Sequence, residues 1–278
     1  MITRKIGGWR RHTAEEKSKL KPLDILLLIG ITPSSYDQRP KWPPVYDQGD
    51  EGSCTANGSG GAVHFYLKQM QYKWPFTPSR AFIYYNTRLT DGSLLDVMED
   101  CGGTISGAIA AIAKYGCCPE DGNPAWSMPY VPGDYRTKPT SANYKDALLH
   151  VALEHQSVPQ TSAAINSLLA RDIPVVFGFD VYDSFMSDDM AKSGIMSIPA
   201  ASEKIQGGHC VVAVGFLTDY PAGNQGVTSW YICRNSWGDK WGQAGYFLMP
   251  EQVLLSSMAS DFGIITNVGF SRGANDVN

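Results

Sequence analysis

Residues 48–54, Gln48-Gly49-Asp50-Glu51-Gly52-Ser53-Cys54, begin the stretch that decides the fold. They form a glycine-rich turn that ends in a cysteine. Apolar residues follow at positions 56, 63, 67 and 70, and that spacing predicts a helix over residues 53–72. Unpaired backbone amides and the helix dipole at such an N-terminus stabilise a thiolate, which makes Cys54 a candidate nucleophile. A buried structural cysteine is the alternative interpretation.

A thiol nucleophile needs a base, and His209 has the most favourable sequence context of the five histidines. It follows Gly207 and Gly208, which leave room for a bound backbone, and it opens the apolar run 210–216, which we predict to be a strand. A satisfied core histidine is the alternative. The remaining histidines lie too far along the same helix, in an N-terminal extension, or in a polar, helix-like stretch where we expect surface residues: His64, His12, and His150 with His155.

Asn235 stands in Arg234-Asn235-Ser236-Trp237-Gly238, directly after another predicted strand. A side-chain amide oxygen can accept a hydrogen bond from one imidazole nitrogen and so fix the tautomer of a catalytic histidine. Trp237 would cover that hydrogen bond and exclude water. An ordinary turn asparagine is the alternative.

The order of the predicted elements indicates an α+β fold with two lobes. Further helical patterns cover residues 104–115 and 162–170. From about residue 173 the apolar runs are short and separated by glycine, proline and aspartate. We predict strands at residues 175–179, 210–216, 230–234 and 245–248.

The composition excludes several classes of protein. The chain has 278 residues, 43% hydrophobic and 18% charged, with a formal net charge of −4, which is typical of a globular protein. It has neither a basic nucleic-acid-binding composition nor an apolar run of about 18 residues that would span a membrane. The six cysteines include no zinc-like CxxC pair, so we expect a mostly reduced protein without a metal. We favour the cytoplasm over secretion.

Residues 1–35 differ from the rest of the chain. A charged segment is followed by an apolar run at residues 25–31, which comes too late and is too short for a secretory signal. Two interpretations stay open. The extension is a short regulatory propeptide whose apolar run packs near the cleft, or it is a permanent strap around a domain formed by residues 36–278. We favour regulation.

Three segments together resemble the active-site blocks of the papain family of cysteine peptidases, in particular its bacterial and viral branch with short proregions. They are QGDEGSC at 48–54, GGHCVVAVGF at 207–216 and YICRNSWGDKWGQAGYF at 231–247, in the family's order. The resemblance extends from about Tyr36 to the C-terminus. It implies a papain-like fold with a helical left lobe, an antiparallel, β-barrel-like right lobe and the active-site cleft between them.

The resemblance implies a role for each matched residue. Cys54, His209 and Asn235 would form the catalytic triad of a cysteine endopeptidase that works through a thioester acyl-enzyme. Gln48 would donate to the oxyanion beside the backbone amide of Cys54. The positions implied for substrate binding are the left-wall glycines, the residue before the histidine, two shielding tryptophans and, by looser resemblance, the S2 pocket: Gly102, Gly103, Gly208, Trp237, Trp241, Val181, Cys210 and the region near Asp261.

The resemblance also implies peptide or protein substrates and a monomer, with no cofactor, nucleic acid or membrane partner. Two departures stand out. Glu51 occupies the position of a disulfide-forming cysteine, which supports a reduced protein, and Thr55 replaces the tryptophan after the nucleophile. The rival functions are another thiol acyl transfer, of the transglutaminase or amidase type, and an inactive binding module. The intact catalytic set argues against the inactive module.

Overall fold

The computed structural model describes residues 4–24, 28, 30, 32–71, 76–92, 96–123, 125–222 and 226–270. The α-helices in this part of the chain are α1 (Ala14–Ser18), α2 (Cys54–Gln69), α3 (Arg80–Asp91), α4 (Ile105–Tyr115), α5 (Ser141–Ala147), α6 (Ser162–Leu169), α7 (Asp188–Ser193) and α8 (Glu251–Leu254). The strands are β1 (Lys21–Pro22), β2 (Ser35–Asp37), β3 (His150–Ser157), β4 (Val175–Tyr182), β5 (Ile205–Leu217), β6 (Trp230–Arg234), β7 (Tyr246–Pro250) and β8 (Ala259–Phe270).

The strands form one sheet in the order β1-β3-β8-β4-β5-β6-β7, and β2 pairs with part of β5. Every pairing is antiparallel except that of β1 with β3. The predicted α+β class is therefore confirmed. Among the described strands the sheet does not close on itself, so the barrel-like lobe is an open sheet.

Helix α2 carries Cys54 as its first residue and is buried along most of its length. The glycines that weaken an isolated helix have a packing role here. A Cβ atom at Gly58 would lie 3.1 Å from Sγ of Cys210 on β5, and one at Gly60 would lie 3.1 Å from Cδ1 of Ile83 on α3. The glycines thus let α2 pack closely against the sheet on one side and a helix on the other.

Strand β5 lies between two hydrophobic clusters, one on each face of the sheet. Val212 and Val214 belong to the cluster that contains α2 and α4, whereas Val211 and Ala213 belong to the cluster that contains α6 and α8. This division follows from the alternation of side chains along a strand. His209 precedes these residues on β5, so both clusters help to fix its position.

The prediction for residues near 150 was wrong. The segment forms β3, which pairs with β8 along most of its length, so it is neither helical nor wholly exposed. His155 is half-buried, and burial lowers its pKa to about 4. Pairing with distant β8 supplies the stabilisation that the local pattern did not reveal.

The extension runs along the body of the protein. β1 pairs in parallel with β3, and the Leu23 amide donates to the Ser157 carbonyl at 3.0 Å. The apolar run 25–31, predicted to pack near the cleft, lies largely outside the described residues. Leu28, which is described, packs against the cluster that contains α6 and α8. Within the described ranges, no helix is long and apolar enough to cross a membrane.

Candidate active site

The turn before Cys54 is held by acidic side chains. Both carboxylate oxygens of Asp100 accept from the Gly52 amide, at 3.0 and 3.1 Å, and the Tyr84 hydroxyl donates to the same carboxylate at 2.5 Å. The Glu51 carboxylate accepts from the Gly133 amide at 3.0 Å. None of the six cysteines, all within the described residues, forms a disulfide. Hydrogen bonds to Asp100 and Glu51 therefore fix the turn in place of a disulfide.

His209 is oriented by Asn235 and covered by Trp237. Nε2 of His209 lies 2.8 Å from Oδ1 of Asn235, and the rings of His209 and Trp237 stack at 4.8 Å between centroids. Since Oδ1 can only accept, Nε2 is the protonated nitrogen of this pair. Nδ1 is buried and has no hydrogen-bond partner among the described residues. The ring is thus fixed with Nδ1 available for proton exchange.

Gln48 is fixed beside the turn in a defined amide orientation. Its Oε1 accepts from the Ser236 hydroxyl at 2.5 Å, and its Nε2 donates to the Glu51 carbonyl at 2.8 Å. A primary amide carries two hydrogens, so one donor of Nε2 remains for a ligand. The Gln48 amide also donates to the Ser236 carbonyl at 2.8 Å, next to Asn235 in the chain.

Contacts between distant segments bring the four candidate catalytic residues to one cleft. The Cys210 amide, next to His209, is close enough to the Cys54 thiol to favour its ionised form. Gln48 is bonded to Ser236, the neighbour of Asn235. The structure therefore gathers residues that are far apart in the sequence.

The N-terminal extension occupies this cleft through residues 7–10. A Cβ atom at Gly8 would lie 2.5 Å from the Gly52 carbonyl oxygen and 2.9 Å from Sγ of Cys54. The Gly8 backbone therefore lies directly against the candidate nucleophile. The sequence pattern pointed to residues 25–31 as the segment near the cleft, whereas the described segment in the cleft is this earlier one.

The extension pairs with both walls of the cleft. The Gly7 amide donates to the Gly208 carbonyl at 2.9 Å. On the other wall, the Gly103 amide donates to the Gly8 carbonyl at 3.0 Å and the Arg10 amide donates to the Gly103 carbonyl at 2.9 Å. Two walls that bond an extended backbone are suited to peptides.

The other predicted binding residues have different positions. Gly102 lies against Gly8, and a Cβ atom added at Gly102 would collide with the Gly8 backbone. Trp241 contacts Trp237 edge to face, with 5.2 Å between the ring centroids. Val181 is buried in the cluster that contains α6 and α8. On the same strand it is Gly178 that lies against the extension, at the indole of Trp9.

With the cleft occupied, the candidate catalytic pair is held in its neutral form. Burial raises the pKa of the Cys54 thiol to about 12. Burial also lowers the pKa of His209 to about 4, against the Asn235 hydrogen bond, which favours the protonated ring. A thiolate paired with an imidazolium is therefore disfavoured while the extension covers it.

Basic side chains of the extension pair with acids of the body on both sides of the cleft. Among the described residues, five such pairs are Arg4–Asp47, Lys5–Asp100, Arg10–Asp91, Arg11–Asp180 and Lys17–Asp261, and a sixth pair, Lys21–Glu154, joins β1 to β3. The sequence interpretation missed these partners. The basic residues before position 22 were the available signal, but acids at scattered positions gave no indication of which would face them.

Comparisons with known proteins identify the family to which this chain is similar. Residues 32–262 match the family described as papain family cysteine protease. An uncharacterized peptidase C1-like protein of Acanthamoeba polyphaga mimivirus is 39% identical over 231 residues, which are 80% of this chain and 69% of the viral protein. Pro-cathepsin H of Mus musculus is 28% identical over 83% of this chain, which spans 64% of that relative, slightly less than two thirds.

Among solved structures, xylellain, a cysteine protease from Xylella fastidiosa, superimposes with a TM-score of 0.79 at 31% identity. The match covers 97% of this chain and 99% of xylellain. The fold, the family match and the viral relative lead to one conclusion: this chain belongs to the papain family of cysteine proteases.

Proposed function

We propose that this peptidase is an endopeptidase that cleaves peptide bonds through Cys54, His209 and Asn235. The observation that carries the proposal is the extended backbone of residues 7–10, which lies against Cys54 and bonds both walls of the cleft. A site that holds a peptide in this way favours peptide substrates over small amides. The hydrogen bond between His209 and Asn235 supports the proposed triad.

The mechanism begins when the Cys54 thiol transfers its proton to Nδ1 of His209. The thiolate attacks the carbonyl carbon of the scissile bond, and the free Nε2 hydrogen of Gln48 and the Cys54 amide donate to the oxyanion. One such donor typically contributes about 3 kcal/mol of transition-state stabilisation. His209 then protonates the leaving amine, and a thioester to Cys54 remains.

In the second half of the reaction His209 takes a proton from water, and the resulting hydroxide attacks the thioester. The carboxylic acid product leaves and the proton returns to Cys54. Asn235 keeps the ring of His209 in one orientation during both steps, and Trp237 shields their hydrogen bond. The leaving-group side of a substrate would lie by Trp241, where a cavity of about 230 Å³ is also lined by Phe185 and Arg4.

We further propose that residues 1–35 keep the domain formed by residues 36–278 inactive. The extension enters the cleft by Trp237, whose carbonyl accepts from Arg4 at 2.9 Å, and runs parallel to the segment at Gly103. A substrate with its acyl part along Gly103 and its leaving group by Trp241 runs in the opposite direction. The extension is therefore an inhibitor that does not present its own backbone for attack.

Product analysis separates endopeptidase activity from the rival acyl transfers. The full chain carrying Gly8→Val, a change that should displace the extension because a Cβ atom at Gly8 would lie 2.9 Å from Sγ of Cys54, is incubated with a denatured protein, and the products are identified by mass spectrometry. We expect new peptide termini at internal sites. Glutamine cross-links, or deamidation without chain cleavage, would instead favour a transglutaminase or an amidase.

The charge pairs predict that salt activates the 278-residue chain. Lys5 lies 2.5 Å from Asp100, whose side chain is only 8% exposed, so reversal of charge at Lys5 should weaken the docked extension. We expect a several-fold rise in peptide hydrolysis from low salt to about 0.5 M salt, because screening weakens the exposed pairs. Lys5→Glu should start at a higher rate and respond less to salt.

Lys19→Glu is the matched control for this prediction. Lys19 is largely exposed and pairs with Glu15 of its own helix, not with the body. This variant should keep the rate and the salt response of the parent. Equal responses of Lys5→Glu and the parent protein would contradict an electrostatic contribution to inhibition.

A further inference from the structure

The indole of Trp9 fills a flat pocket, here called the Trp9 pocket, which is formed by Gly178, Gly208 and Asp261. A Cβ atom at Gly178 would lie 2.0 Å from Cε2 of the indole, and one at Gly208 would lie 2.7 Å from Cε3. Only glycine at both positions leaves this space. The pocket therefore has the shape of a slot for a planar group.

A buried carboxylate closes the end of this pocket. The indole Nε1 of Trp9 donates to Oδ2 of Asp261 at 3.2 Å, and the Asp261 side chain is 0% exposed. Burial acts to raise the pKa of Asp261, but hydrogen bonds from His12 outweigh it and hold the pKa well below its usual range. Asp261 is thus an ionised group at the end of the slot between the two glycines.

Most donors to this carboxylate belong to the extension. Besides Trp9, the His12 amide donates to it at 2.8 Å, and Nδ1 of His12 and Nζ of Lys17 lie at 3.3 and 3.2 Å. From the body of the protein, the Ser260 hydroxyl donates at 2.8 Å. The ion pair with Lys17 and the contacts with Trp9 and His12 therefore all leave with the extension.

A buried carboxylate that loses its donors is unfavourable unless other donors replace them. A substrate side chain that enters the same pocket meets this requirement if it carries a positive charge and N–H groups. Arginine fits best, because its planar guanidinium matches the slot and can bond a carboxylate through two parallel hydrogen bonds. Lysine offers the charge without the plane, and an aromatic residue offers the plane without the charge.

We propose that Asp261 is the specificity-determining residue of the released enzyme and selects peptides with an arginine side chain in the Trp9 pocket. This inference rests on the proposed endopeptidase function. It means that Trp9 and His12 of the extension occupy, in the inactive form, the donor positions that a substrate arginine takes in the active one.

Arginine and citrulline peptides provide the test, since citrulline has the shape of arginine without its charge. The full chain carrying Gly8→Val, which the contacts of Gly8 with Cys54 predict to be open, is assayed with peptides in which one arginine is moved through the four positions before the cleaved bond. Citrulline and leucine then replace arginine at each position. We expect one position at which arginine exceeds citrulline in kcat/KM by about tenfold or more.

The residue assignment is tested by Asp261→Asn and Asp261→Glu. Asp261→Asn should reduce the arginine-to-citrulline ratio to near one, whereas Asp261→Glu should keep a ratio above one because the charge remains. Asp180→Asn is the matched control, since the partly exposed Asp180 carboxylate pairs with Arg11. Because both peptides meet the same fraction of open enzyme, the ratio does not depend on how strongly the extension docks.

The outcomes distinguish this proposal from the proposed function. Equal cleavage of arginine and citrulline peptides at every position, or an unchanged ratio in a folded Asp261→Asn variant, would overturn the assignment while leaving the peptidase intact. If leucine were preferred over arginine at the peptide position that affects the rate most, the Trp9 pocket would be an ordinary apolar pocket. Failure to cleave any peptide would count against the endopeptidase itself.

Discussion

Replacement of Cys54 by alanine should abolish peptide hydrolysis, with a loss of about 10⁵-fold or more in kcat/KM. The expected size follows from the role of the thiol, because removal of the nucleophile from a catalytic triad eliminates the covalent route altogether. The comparison is best made in the Gly8→Val protein, where the cleft should be open. An epoxide-type thiol inhibitor provides a second measurement, since its covalent label should depend on Cys54.

Two other cysteines provide controls for this prediction. Cys101 is exposed, so Cys101→Ala tests whether the label reaches an accessible thiol instead of Cys54. Cys233 is buried in the cluster that contains α6 and α8, so Cys233→Ala tests for a general effect of losing a buried thiol. Both variants should keep peptide hydrolysis and should still be labelled by the inhibitor. Undiminished hydrolysis by a Cys54→Ala variant would remove the proposed mechanism.

The helices and strands that have a clear local sequence pattern could be predicted from the sequence. α2, α4 and α6 have local apolar periodicity, and β4 to β7 have short apolar runs bounded by turn residues. β3 differs, because its sequence HVALEHQS gives little local indication of a strand and its pairing partner β8 lies more than a hundred residues later. α3 was also missed, although Ser79 caps it by accepting from the Phe82 amide.

The residues of the candidate site differ in the same way, because some have a local sequence signal and others depend on contacts between distant segments. Cys54, His209 and Asn235 could be predicted as candidates because each follows or begins a locally recognisable element and the motifs around them resemble one family. Asp100 was not found, since its contacts with Gly52 and Tyr84 depend on how two loops meet. Likewise, the placement of Gly8 depends on shape at the cleft, which no periodicity encodes.

Replacement of Gly8 by valine should raise the peptide hydrolysis of the full chain by about tenfold to a hundredfold. The new Cβ atom would lie 2.5 Å from the Gly52 carbonyl oxygen, which belongs to the fixed turn, so the extension must move away. Overpacking of this kind costs about 1–3 kcal/mol, and each 1.4 kcal/mol changes the ratio of open to closed protein by about tenfold. Glu15→Val, which adds the same side chain at an exposed position in α1, should have no such effect.

The pH dependence of Cys54 labelling distinguishes displacement of the extension from a direct change in chemistry. In the closed parent protein the thiol pKa is raised to about 12, so labelling should be slow at neutral pH and should increase with pH throughout the alkaline range. Loss of the covering segment hydrates Cys54 and His209 and allows the ion pair, so Gly8→Val should label rapidly from near-neutral pH upward. The closed form binds the thiol proton more tightly, and it therefore loses stability relative to the open form as pH rises above the thiol pKa of the open form. If Gly8→Val labelled as slowly as the parent protein at pH 7, residues 7–10 would not be what restrains the nucleophile.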